Sequence, residues 1–339
     1  MNYSVEEYAS EVVYRIASVC NDKDIEHPTI ITESGRAIAA YHSILVFNVL
    51  GTSGLDRFQI ADRHAEHLDD EDEENIPQPV RDLYDAYESI SERRVLECYH
   101  DAVQAREGVQ QLFKLGYLSL ELRGLAERLF WAVCAKVRGI CRRLPAIPEE
   151  LADIETILSD TYFCNFSVFQ SLPDTWAVGQ LFPVMPIHRL DEEPTRRAVL
   201  ADITCDSDGK IVRFVDVRDI NHTLPLHEYR HDEPYHLAAF LVGAYQETLG
   251  DLHNLFGDTH VVHLSLHEQG GWWIDEAVRG DTAAEVLTYV QFDPRQLHAR
   301  LRRDCERAVR AGRMTVSESQ SLMRFYESEL NGYTYLTSP

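Results

Sequence analysis

Lysine is nearly missing from this chain. Of 32 basic residues only four are lysines, Lys23, Lys114, Lys136 and Lys210, set against 56 acidic residues and a formal net charge of −24. That balance argues against a nucleic-acid or anionic-membrane partner, because holding phosphates needs clustered lysine and arginine. Paired cysteines are missing too. The seven cysteines, at 20, 98, 134, 141, 164, 205 and 305, are scattered without a C-x-x-C pair. Their odd number points to reduced thiols and to neither a zinc site nor a disulfide framework. No uncharged apolar run reaches the ~20 residues that a membrane-spanning helix needs. The start, "MNYSVEEYASEVVYRIASV", is acidic and amphipathic and does not read as a leader. The expectation is a soluble cytoplasmic protein.

What is present fits a globular chain: 339 residues, 45% apolar and 26% charged, enough for two or three packed units. Residues 5–19 read as a helix with Val5, Tyr8, Val12 and Ile16 on one stripe. After Pro28 a short β-like run, "TIITE", leads into "TESGRAIAAYHSILVFNVLG" (32–51). There Ile38, Tyr41, Leu45 and Val49 recur at helical spacing, which predicts a second helix stopped by Gly51. Residues 52–79 are polar and hold the acidic run "DDEDEE" (69–74), either a cation- or basic-partner patch or a solvated loop.

Helical periodicity then dominates about 79–145. Leu83, Tyr87 and Ile90 make one stripe, and Leu118, Leu122, Leu125, Leu129, Val133, Val137, Ile140 and Leu144 a longer one. From about 161 short β-prone runs recur between turn signals: "NFSVFQ", "FPVMPIHRL", "RAVLADITC", "KIVRFVDV", "HLAAFLVGAY", "HVVHLSL" and "GWWIDEAV". They predict an antiparallel sandwich or barrel. Residues 282–331 return to helix, with Leu297, Leu301, Cys305 and Val309 on one side.

Four stretches could carry chemistry. In "ESGR" (33–36) Gly35 lets a ligand approach the backbone, Arg36 offers a fork for phosphate, and Glu33 could pair with a cationic ring nitrogen. The same pattern also serves as a plain helix cap. "TCDSDG" (204–209) places Cys205 and Asp206 after a strand, as a nucleophile, a proton donor or a cation loop, or as a simple Asp-Gly hairpin turn. It begins like a calcium loop, but no acidic ligand closes it. "FLVGAYQETLGDLHNLFGD" (240–258) ends an apolar strand at Gly243 and Tyr245, a tyrosine that could bind phosphate or line the core. "HEYRHDEPYH" sets His227, His231 and His236 close in sequence, yet its loop-like, charged texture speaks against a metal site.

The order, wording and spacing of these stretches resemble the C-terminal half of bacterial biosynthetic arginine decarboxylase. The resemblance rests on "HPTIITESGRAIAAYHSILVFNVLG", "NFSVFQSLPDTWAVGQLFPVMPIHRLDEEPTRRAVLADITCDSDGKI", "FLVGAYQETLGDLHNLFGD" and the terminal "GYTYL". That enzyme is a pyridoxal-phosphate-dependent member of the alanine-racemase-like group, together with ornithine and diaminopimelate decarboxylases. The resemblance implies an α+β fold. Residues 1–52 would be the last strand and helices of a (β/α)8 barrel and 53–78 an acidic loop. Residues 79–160 would be a helical insert, 161–281 a β-sandwich or barrel, and 282–339 a terminal helical segment.

It also implies roles. Glu33 would pair with the pyridine nitrogen of the cofactor, Gly35 and Arg36 would form the phosphate turn, and Tyr245 would touch the same phosphate. Cys205 and Asp206 would reach across a dimer interface, the thiol helping to reprotonate Cα and the carboxylate facing the cationic end of the substrate. Asp174, after "QSLP", would be a second substrate carboxylate. Mg2+ is associated with the family, though no ligand for it can be assigned. The implied reaction converts L-arginine to agmatine and CO2, in polyamine biosynthesis.

The chain departs from the family pattern in one respect. The Schiff-base lysine, the glycine-rich phosphate loop and the histidine that stacks on the cofactor lie in the N-terminal part of the family's barrel. None of the four lysines here sits in a matching position. A truncated decarboxylase, one half of a split enzyme completed by an N-terminal chain, and a non-catalytic subunit modulating a full-length partner all remain open. The isolated chain is expected to make no agmatine, and its expected partners are L-arginine and either further copies of itself in a homo-oligomer or an N-terminal half chain carrying the lysine.

Overall fold

The computed structural model describes residues 4–35, 40–55, 76–217 and 219–337. Both Arg36 and the acidic run 69–74 lie outside the described residues.

Helix α1 (Val5–Asp22) opens with a capping box in which Ser4 and Glu7 satisfy each other's backbone N–H groups. Residues 25–34, the expected "TIITE" strand, have no regular structure. The helix predicted over 38–49 is instead the 14-residue strand β1 (Ala40–Ser53). Its burial alternates, with Phe47 and Val49 in the core and Ile44 and Val46 exposed. That is the two-residue period of a strand, which the β-branched Ile44, Val46 and Val49 favour over a helix. Gly51 does not stop an element; it sits in β1 where the pairing with the next strand shifts register.

Three helices follow: α2 (Gln78–Ser89), α3 (Val95–Lys114) and α4 (Leu120–Cys141). The stripes expected from the sequence meet inside this bundle, where Val80, Leu83, Ala102, Val109, Leu129, Val133 and Val137 are essentially inaccessible. Fully burying each leucine is worth about 2 kcal/mol, so the bundle is held mainly by its core. Ser119 caps α4 through Leu122 N–H, and Arg106 pairs with Glu127 at 2.9 Å while stacking over Phe130.

Beyond the short helix α5 (Ile154–Ile157) comes β2 (Asp160–Cys164). The "NFSVFQ" strand expected next is a helical turn, α6 (Val168–Ser171), followed by α7 (Pro173–Ala177). The carboxylate of Asp202 accepts Val168 N–H at 2.8 Å, which starts a helix where the side chains alone read as strand.

Then come β3 (Val184–Pro186), β4 (Arg196–Ala201), β5 (Lys210–Ile211), β6 (Phe214–Val215), β7 (Ile220–Asn221), β8 (Leu224–Leu226) and β9 (His236–Gly243). Seven strands form one sheet in the order β3-β9-β1-β2-β4-β5, with β8 also paired to β4. The sheet is mixed rather than purely antiparallel: β2 and β4 run parallel, Asp160 opposite Ala198 and Tyr162 opposite Leu200. Strands β6 and β7 form a separate hairpin.

The last part holds α8 (Ala244–Thr248), the hairpin β10 (Val261–Leu266) with β11 (Trp272–Val278), and helices α9 (Ala283–Tyr289), α10 (Pro294–Arg310) and α11 (Val316–Leu330). Thr282 and Thr315 close capping boxes with Glu285 and Glu318. No described helix is long and apolar enough to cross a membrane.

Two compact units result. One comprises Met1–Leu45, Phe169–Ala177 and Ala239–Thr334; the other comprises Val46–Val168, Val178–Ala238 and Tyr335–Pro339. The second contains the helical bundle and most of the strands of the large sheet. It is pinned by a bidentate ion pair in which buried Asp160 accepts from Arg196 at 2.7 and 2.8 Å.

Candidate functional site

In the first unit, strand β9 runs out at Gly243 and turns directly into α8, which carries Tyr245 and Gln246. Tyr245 and Gly35 are brought together. A Cβ built on Gly35 would collide with the Tyr245 hydroxyl, so the close approach exists only because position 35 is glycine. Next to Gly35, Ser34 donates to Thr32 at 3.0 Å, and Glu33 is exposed.

The other half of this corner is polar and buried. Asp174, at the start of α7, accepts from the Gln246 side-chain Nε2 at 2.9 Å and returns its backbone N–H to the Gln246 side-chain Oε1 at 3.2 Å. The reciprocal pair fixes α7 to the helix that carries Tyr245. Asp251 N–H donates to Phe169 carbonyl at 3.0 Å, and Phe169 packs on His253 and Trp176 at 4.7 and 5.5 Å between ring centres. Gln170 donates to Asp258 at 2.5 Å. Burial, with Asp281 nearby, pushes the Asp258 carboxyl above the usual carboxylate range, and the Gln170 bond opposes that rise. Gln246 was invisible in the sequence: nothing local to it distinguishes a buried amide from a surface one.

The second unit contains the Cys205–Asp206 loop, which joins β4 to β5 as the Asp-Gly hairpin that one reading of "TCDSDG" anticipates. Its organiser is Asp202, which the sequence did not single out. One Asp202 oxygen accepts Thr204 N–H and hydroxyl at 2.8 and 2.7 Å, the other accepts Val168 N–H, and its own N–H donates to Gly209 carbonyl at 2.8 Å. Gly209 is required here as well, since a Cβ would run into the Asp202 carboxylate. Asp206 accepts Asp208 N–H at 2.8 Å, which leaves the Cys205 side chain exposed at the loop's tip. The other six cysteines are buried, and burial pushes the Cys134 thiol up to about 12. Among the thiols Cys205 alone is exposed.

The three histidines of "HEYRHDEPYH" have different surroundings. His227 is buried, with its ring nitrogens 2.9 Å from the Tyr235 hydroxyl and 3.0 Å from Glu192 carbonyl; His236 packs on His188, and His231 is in solvent. Among the described residues no group of three or more His, Cys, Asp and Glu gathers where it could hold a metal ion. The lysines are placed as follows. Lys23 ends α1, Lys114 ends α3, Lys210 lies in β5, and Lys136 donates to Tyr87 carbonyl at 2.9 Å with its ammonium 3.3 Å from the Tyr87 ring centre.

Known proteins resemble this chain at the level of whole domains. The family model described as the arginine decarboxylase helical bundle domain matches residues 73–155, and that of the arginine decarboxylase C-terminal helical extension matches residues 283–336. The chain is 50% identical to the biosynthetic arginine decarboxylase of Gloeobacter violaceus over 341 residues, covering 99% of this chain and 52% of that protein. It is 50% identical to the enzyme of Thermosynechococcus vestitus over 338 residues, covering 99% and 51%. The crystal structure of the biosynthetic arginine decarboxylase of Campylobacter jejuni superposes with a TM-score of 0.76 at 33% identity, over 100% of this chain and 53% of that one. The chain thus spans about half the length of the curated relatives it matches.

Proposed function

We propose that this chain, the counterpart of the C-terminal half of biosynthetic arginine decarboxylases, supplies one half of a pyridoxal-phosphate site that converts L-arginine to agmatine and CO2. The observation that carries the reading is the Gly35–Tyr245 approach, a backbone and a phenol converging beside Glu33 in a chain 50% identical to such enzymes.

The residues present fit that cofactor. The Gly35 backbone, the Arg36 fork and the Tyr245 hydroxyl are all donors suited to phosphate oxygens, and at Gly35 the space of a side chain is taken by the Tyr245 hydroxyl itself, which sets two of these donors side by side. Glu33 would hold the proton on the pyridine nitrogen. When bound, pyridoxal phosphate supplies an electron sink for the pair left behind as CO2 departs. Cys205 would return a proton to Cα, and Asp206 would face the guanidinium of the substrate in a neighbouring subunit's site. Asp174, whose carboxylate already accepts from Gln246, acts in this reading by holding the helix of Tyr245 in place. The lysine that binds the cofactor would come from polypeptide outside these 339 residues. Mg2+ is given no role, because no described cluster suits it.

The test joins this chain to a separately expressed N-terminal half carrying the lysine. Agmatine should form only when both are present, and Cys205→Ala or Asp206→Asn should lower the rate by about 10²–10⁴-fold. Turnover by this chain alone, or indifference to both substitutions, would overturn the reading. The second reading, a non-catalytic subunit modulating a full-length partner, draws on the same missing lysine. It predicts instead that the chain changes the rate of an intact arginine decarboxylase without needing Cys205.

A further inference from the structure

The fold gathers arginines that the sequence keeps apart. Arg138 lies in the last turn of α4, and Arg142, its C-cap, follows one turn on, so the i, i+4 step puts both on one face. Arg196 and Arg197 open β4. All four belong to the second unit, where they line one cavity of about 40 Å³ together with Thr195 and Leu158. Leu158 is buried and gives an apolar wall, while the exposed Arg142, Thr195 and Arg197 mark where the cavity meets solvent. The volume is a few times the ~10–15 Å³ that admits one water. It is far below the roughly 300 Å³ at which sites begin to enclose a whole organic ligand. A small ion, or the head group of a larger molecule, is what fits.

The lining is cationic in a chain whose net charge is −24. Two of the four guanidinium groups are held in place by carboxylates. Buried Asp160 accepts from Arg196 at 2.7 and 2.8 Å, and Glu155 accepts from Arg142 at 2.6 and 3.0 Å. Each of these pairs uses two of the five N–H donors of a fork and fixes its plane. Less side-chain freedom therefore remains to be lost when a ligand arrives. Cations at the end of α4 would be expected from the helix dipole alone. That does not account for two more at the start of a strand lining the same cavity. Like charges around one small space repel each other, and an anion bridging them relieves the repulsion. A tetrahedral oxyanion presents oxygens in more directions than a planar carboxylate, which suits forks arriving from two different elements.

We infer that this cavity binds a phosphate-class oxyanion, as the free ion or as the phosphoryl end of a small molecule, clamped between the end of α4 and the start of β4. It uses no residue of the Gly35–Tyr245 corner, which belongs to the first unit, and stands whether or not that corner takes a cofactor.

The probe is inorganic phosphate, titrated into the full chain by calorimetry against sodium chloride of matched ionic strength. Phosphate should bind and chloride should not. Arg138→Gln combined with Arg142→Gln should weaken binding at least tenfold. Arg143→Gln removes a charge from the same helix end without lining the cavity, and should leave binding within twofold. Tyr245→Phe, in the other unit, should also leave it within twofold. Hydrogen exchange of the unaltered chain locates the ion without any substitution: phosphate should slow the amides around 138–142 and 195–197. Glycerol 3-phosphate tells the two sources apart. Binding of the ester as tight as that of the free ion makes the phosphoryl group the ligand, and exclusion of the ester reserves the site for the free ion; both uphold it. The proposal is overturned if phosphate binds no better than chloride, or if the double variant binds undiminished. An equal loss in Arg143→Gln overturns it in favour of diffuse charge, and acetate binding as tightly as phosphate in favour of a carboxylate site. Loss of binding in Tyr245→Phe, or exchange protection confined to other segments, places the ion elsewhere and overturns it too.

Discussion

The hydroxyl of Tyr245 occupies the space that a side chain at Gly35 would need. The two residues are therefore coupled sterically before any ligand is considered. Gly35→Ala should destabilise the chain by about 1–3 kcal/mol, the range typical of overpacking at a tight contact. Because the colliding atom is the phenolic oxygen, Tyr245→Phe added to Gly35→Ala should recover part of that loss. Thermal unfolding of the two single variants and the double variant measures the coupling. Strictly additive effects would mean that the contact does not constrain position 35.

The loop holding Cys205 should depend on Asp202 in a similar way. Its carboxylate accepts from Val168 N–H, Thr204 N–H and the Thr204 hydroxyl. Asp202→Asn replaces one acceptor oxygen with a donor and leaves a buried N–H or hydroxyl facing another donor. The expected cost is about 1–3 kcal/mol, read by urea unfolding. Reaction of the exposed Cys205 thiol with a disulfide reagent should change in rate as the loop loosens, whereas the six buried cysteines should stay slow until global unfolding.

These two contacts show what the sequence could and could not disclose. Gly35, Tyr245, Cys205 and Asp206 stand in quotable stretches, and the structure puts the first two in contact. Asp202 and Gln246 organise the same places through partners 34 and 72 positions away, Val168 and Asp174, and no local pattern encodes such a bond. The helical bundle was legible because a 3.6-residue period sustained across the 22 residues of α4 has no competing interpretation. Strand β1 was misread because Tyr41, Leu45 and Val49 satisfy a four-residue step while Phe47 and Val49 satisfy a two-residue one. Pairing with β2 decided between them. "NFSVFQ" failed for the opposite reason: its alternation is real, but Asp202 caps Val168 and makes a helical turn.

Arg196 and Asp160 join β4 to β2 in the second unit with two short bonds, and Asp160 is 2% exposed. Removing only the cation leaves a carboxylate in the interior with no counter-charge. Arg196→Met should therefore cost about 3–5 kcal/mol, seen as a lower denaturant midpoint. The paired change Arg196→Met with Asp160→Leu should recover much of it, because the penalty lies in the orphaned charge rather than in the loss of the pair. A double variant no more stable than Arg196→Met would show that the ion pair itself holds the two parallel strands together.

His236, at the start of β9, packs against His188 and has a buried Nδ1 with no hydrogen-bond partner among the described residues. Burial first, and the neighbouring imidazole second, hold its pKa below the ordinary value of 6.5. The unfolded chain then takes up this proton at a higher pH than the folded one. Its contribution to stability is complete above about pH 6.5 and is lost as pH falls through the folded-state value. Urea midpoints measured between pH 7.5 and 5 should fall more steeply for the wild type than for His236→Phe, which has no proton to take up. The difference between the two curves isolates this site from the chain's many carboxylates. A ring-proton NMR titration of His236 should place its midpoint below the ordinary value of 6.5. Parallel stability curves for wild type and variant, or a His236 midpoint at or above 6.5, would show that burial at this strand end does not disfavour the charged ring.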